Sequence, residues 1–140
     1  MYEEFRSLSI LIKECTNDVS FQIIMTLYEL LIFDFNVFQP IYIETDVYLS
    51  LQMNFLYLLN IDSHELELRN PEALRKKDQK LNFLMKILKL LLKNNNKLIS
   101  SFLDIGHFEI LLNNLDLHKK ILNPFILFFL EEEAKNVINI

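Results

Sequence analysis

The sequence predicts an all-α fold, and three observations carry that expectation. One glycine and three prolines in 140 residues are too few turn formers for the many tight connections of a sandwich or barrel. Hydrophobic residues make up 51% of the chain, and they recur at spacings of three and four. Polar residues interrupt these apolar stretches in narrow stripes, as they do on helices covered by neighbouring helices. At this length a single domain, 1–140, is large enough for a core without disulfides or metal.

Taken in order, residues 3–13 place Phe5, Leu8, Leu11 and Ile12 on one side of a helix. Asn17 or Asp18 caps the next, 21–33, in which Gln22, Thr26 and Glu29 form the polar stripe. Asp34 and Asn36 interrupt that run. Pro40 is expected in the first turn of a short helix, because an interior proline removes a hydrogen bond and clashes with the preceding turn. Glu44-Thr45-Asp46 reads as a break before an apolar helix over 47–59, and 60–70 as a surface loop.

Asn70-Pro71-Glu72 is the clearest helix start, with a capping side chain, a proline at the first helical position and an acid in the first turn. That helix extends to Lys93, with Asn82, Lys86, Lys89 and Lys93 as its polar stripe. After Asn94-Asn95-Asn96 comes a short amphipathic segment that Gly106 ends. Asp116 caps a short segment near the end. Asn123-Pro124 repeats the cap-then-proline signal before 125–130, and Glu131 to Glu133 give this last helix a solvated half.

The chain also matches itself. Residues 21–54 fall on 81–114 without a gap, at an offset of 60. Met25 meets Met85, Asn36 meets Asn96 and Leu51 meets Leu111, while Gln22, Thr26 and Glu29 land on Asn82, Lys86 and Lys89. Each unit is a buried helix, a polar corner, a short helix, a second corner and another apolar helix. Such units cover their apolar faces by stacking, as in helical solenoids. Solenoid units are about 40 residues long, so the charged stretch 62–80 is assigned as an insertion.

The segment LKLLLKNNNKLISSFLDIGHFEILLNNL resembles an armadillo or HEAT repeat unit. The elements that carry the likeness are Asn94 to Asn96, Phe102-Leu103-Asp104, Gly106 and Leu111-Leu112. The first unit departs from the pattern at Asp46, where the glycine belongs, and at Pro40. This resemblance implies a short right-handed helical-repeat solenoid. The order LIFDFNVFQPIYIETDVYLSL, then LRKKDQKLNFLMKILKLLL, is similar to the later repeats of the regulatory H subunit of vacuolar proton-pumping ATPases. The same unit also resembles cytosolic exchange factors for the Hsp70 chaperone. Neither likeness assigns a function to a particular residue.

No residue pattern points to catalysis. His64, His107, His118 and Cys15 are scattered without zinc-site spacing, so neither a metal nor a cofactor is expected. Ser100-Ser101 has no nucleophile elbow around it, and one glycine cannot build a phosphate-cradling loop. A net charge of −5 disfavours nucleic acid, whose affinity rests on phosphate neutralisation. No apolar stretch is long enough for a membrane span, and no small-molecule substrate is evident.

The expected role is therefore a non-enzymatic, cytoplasmic interaction scaffold or a subunit of a larger assembly. The candidate partner-binding residues are Arg75, Lys76, Lys77 and Lys80, together with Phe125, Phe128 and Phe129 if the rest of the chain leaves the last helix uncovered. The lysine line Lys86, Lys89, Lys93 and Lys97 reads first as a solvated face. The competing expectation is a compact helical bundle, of the viral Bcl-2-like kind, that sequesters a partner helix.

Overall fold

A computed structural model describes residues 2–14, 18–59, 70–104, 109, 113 and 119–138 of the protein. Within them are seven α-helices and no strand: α1 (Tyr2–Glu14), α2 (Asp18–Phe33), α3 (Phe35–Glu44), α4 (Val47–Leu59), α5 (Pro71–Leu92), α6 (Asn96–Asp104) and α7 (Lys119–Ile138). The chain divides into two compact units, Met1–Leu91 and Leu92–Ile140. The expected features at Cys15, Asn17, 60–69, Gly106, Leu111-Leu112 and Asp116 lie outside the described residues.

In the first unit α1 packs most extensively on α4, α2 packs on α3, and α3 on α4. Ile12, Ile24, Leu27, Leu31, Leu51, Phe55 and Leu59 are fully buried, as are Leu81, Leu84, Ile87, Leu88 and Leu91 of α5. Phe5, Phe38 and Tyr42 form an aromatic triad between α1 and α3, with Phe5 and Tyr42 ring centres 5.5 Å apart. The buried Tyr42 hydroxyl donates to the carbonyl of Leu27 at 2.9 Å, which satisfies the one polar atom its ring brings into the core. Asn54 of α4 donates to the carbonyl of Ile12 at 3.3 Å. The polar stripe of α2 is exposed at Gln22, Thr26 and Glu29, as its spacing predicts.

The corners follow capping chemistry. Asp34 caps α3 by accepting the N–H of Val37, and its carbonyl accepts the N–H of Phe38. Asn70 caps α5 by accepting the N–H of Ala73 at 3.2 Å, with Pro71 first in the helix as expected. Asn95 does the same for α6 through the N–H of Leu98. Two non-glycine residues take positive φ, Asp46 at 65° and Asn94 at 58°. Both belong to the residue types that visit this region at least cost. Asp46 thus meets without glycine the conformation for which glycine is the usual choice at such a corner.

Two proline expectations are corrected. Pro40 lies inside α3 and Pro124 inside α7, beyond the first turn in each case. Both prolines are exposed, on the solvent side of their helices, where the lost hydrogen bond is least costly. Residues 71–80 of the charged stretch form the opening turns of α5, the helix expected to start at Pro71.

The second unit is organised by four phenylalanines. Phe129 of α7 stacks on Phe125 at 5.0 Å and on Phe102 of α6 at 5.1 Å, with Phe128 edge-on at 5.5 Å. Ile99 and Leu122 are buried as well. Of the three glutamates expected to be solvated, Glu131 and Glu133 are exposed, but Glu132 is buried. Its carboxylate accepts the Asn94 N–H at 3.3 Å and pairs with Lys135 at 3.1 Å.

Candidate interaction surface

The sequence-predicted partner residues fall in unequal positions. Arg75 is exposed on α5, but its guanidinium is paired with Glu72 one turn earlier, which holds the Glu72 carboxyl below its ordinary range. Lys77 and Lys80 are only 5% and 6% exposed, their long stems folded against the helix surroundings. Lys76 is exposed; like Lys77 and Lys80 it already makes polar or electrostatic contacts within the chain. The four cations therefore do not form one open basic patch.

Phe125, Phe128 and Phe129 are buried rather than exposed, with Phe102 against Phe125 and Phe129. Among the described side chains of α7, the large apolar ones exposed to solvent are Leu127 and Leu130.

The lysine line behaves as a solvated edge, with Asn82 and Lys86 of α5 exposed, Lys89 half-buried, and Lys93 exposed in the turn just after the helix. Lys97, on α6, is exposed too. The Lys86 ammonium lies 5.3 Å from the centre of the Phe83 ring. Phe21 and Tyr28 from α2 pack T-shaped against that same ring, with centres 5.6 and 5.7 Å away.

The most distinctive open surface is on α4. This 13-residue helix has no charged side chain. One line along it is buried through Leu51, Phe55 and Leu59, while Leu49, Met53 and Tyr57 stand in solvent at intervals of four residues. They trace about 12 Å of helix surface at 1.5 Å per residue. Met53 and Tyr57 are 59% and 58% exposed. A second apolar cluster surrounds the α2–α3 corner, where Ile32, Phe33, Phe35 and Val37 are exposed and Phe33 reaches 84%. Neither surface is singled out by the sequence pattern, which reads both simply as apolar helix. The available signal is the lack of any charge between Asp46 and Asp62, since a helix with one solvated side normally carries some.

Among the described residues no group of three His, Cys, Asp or Glu could hold a metal, and no helix is long and apolar enough to cross a membrane. His64, His107, His118 and Cys15 lie outside the described residues. Ser100 and Ser101 are exposed on α6. Burial pushes the phenols of Tyr42 and Tyr48 well above their ordinary range, so both rings serve as neutral packing groups. Comparison with protein-family models, curated proteins and solved structures gave no match.

Proposed function

We propose that this protein is a non-enzymatic, cytoplasmic helical-repeat scaffold, or a subunit of a larger complex, which acts by binding another protein through α4. The observation that carries the reading is the uncharged line of Leu49, Met53 and Tyr57, whose side chains lie in water on a helix otherwise devoted to the core. A helical repeat of the armadillo/HEAT kind is supported by the order of long helix, polar corner and short helix, which occurs in α2–α3 and again in α5–α6. It is also supported by α1 lying on α4, and by the rings of Phe21 and Tyr28 on α2 meeting Phe83 on α5. Stacking of corresponding helices is what a solenoid requires. A vacuolar-ATPase regulatory role and an Hsp70-exchange role are the two forms of this reading suggested by resemblance.

The test is affinity purification of the full chain from native cells, alongside a Leu49→Ser/Met53→Ser/Tyr57→Ser variant, with partners identified by mass spectrometry. A partner recovered at near-equal stoichiometry by the wild type and lost by the variant supports the proposal. A wild-type chain that runs alone as a monomer and recovers nothing overturns it, as does a variant that keeps every partner.

A further inference from the structure

We draw no further inference here: the strongest candidate, the apolar stripe of Leu49, Met53 and Tyr57 on the outer line of α4, carries nothing beyond the reading above because nothing in the structure shows what covers it.

Discussion

The buried carboxylate of Glu132 on α7 accepts the backbone N–H of Asn94, a residue 38 positions earlier that holds φ at 58°. A side chain of α7 thus supports the turn that leads into α6. Charged acceptors make the stronger class of hydrogen bond, and an unsatisfied buried group is costly. Glu132→Ala is expected to lower stability by about 1.5–3 kcal/mol, measured by urea unfolding. Glu132→Gln, which keeps an acceptor oxygen, should lose less. Lys135→Ala, whose side chain is half exposed, should cost no more than about 1 kcal/mol.

Asp46 and Asn94 take left-handed conformations that a Cβ disfavours. Asp46→Gly should therefore preserve or raise the melting temperature, within about 1 kcal/mol of stability. Asp46→Val, with a β-branched side chain at positive φ, should lower stability by about 1–2 kcal/mol. Scanning calorimetry on the two variants checks the difference in sign.

Pro40 interrupts the backbone ladder of α3 from an exposed position. Pro40→Ala restores a donor and removes a steric conflict, gains that exceed the added freedom of the unfolded chain. An increase of about 1 kcal/mol or more is expected. Pro71→Ala, at the first position of α5, should change stability much less, because no helical partner exists for that N–H. Equilibrium denaturation of both variants distinguishes the two environments.

The two faces of α4 should separate cleanly. Phe55→Ala removes a fully buried ring and is expected to cost about 3–5 kcal/mol. Met53→Ser and Tyr57→Ser, on the outer line, should each change stability by about 0.5 kcal/mol or less. If the outer substitutions destabilise as strongly as the inner one, the stripe belongs to the core, and its role as a contact surface fails.

Tyr42 and Tyr48 set the behaviour at high pH. Their folded-state pKa values lie above the ordinary value of 10.0 because burial disfavours the phenolate. Between the unfolded and folded values the unfolded chain binds fewer protons, so stability falls as pH rises. Their contribution is full below pH 10 and is lost progressively above it. Tyrosinate absorbance during alkaline titration should show these two rings ionising with unfolding, later than in the urea-denatured chain.

The helices were legible where the sequence speaks locally. Asn70-Pro71-Glu72 marks the start of α5, and the apolar run 47–59 is α4 from end to end. The prolines misled because the rule concerns a buried or fully bonded turn, and Pro40 and Pro124 occupy solvent-facing positions where the missing bond costs less. Periodicity places Phe125, Phe128 and Phe129 near one another but cannot reveal that Phe102, from another helix, packs against Phe125 and Phe129. The same limit applies to Lys77 and Lys80, whose charge is visible in sequence and whose buried stems are not. In α4, where nearly every side chain is apolar, only tertiary packing decides which line faces out.

The bond from Tyr42 to the Leu27 carbonyl matters for a reason separate from its strength. Leu, Ile and Phe side chains attract without direction, and a core built from them tolerates several rotations of one helix about its own axis at similar energy. A hydroxyl that must meet one particular carbonyl does not share that tolerance. Turning α3 by a single residue would carry Tyr42 about 100° away from its acceptor. Tyr42 therefore works as an indexing pin for α3, selecting one angular setting from a set that greasy packing alone would leave nearly equivalent.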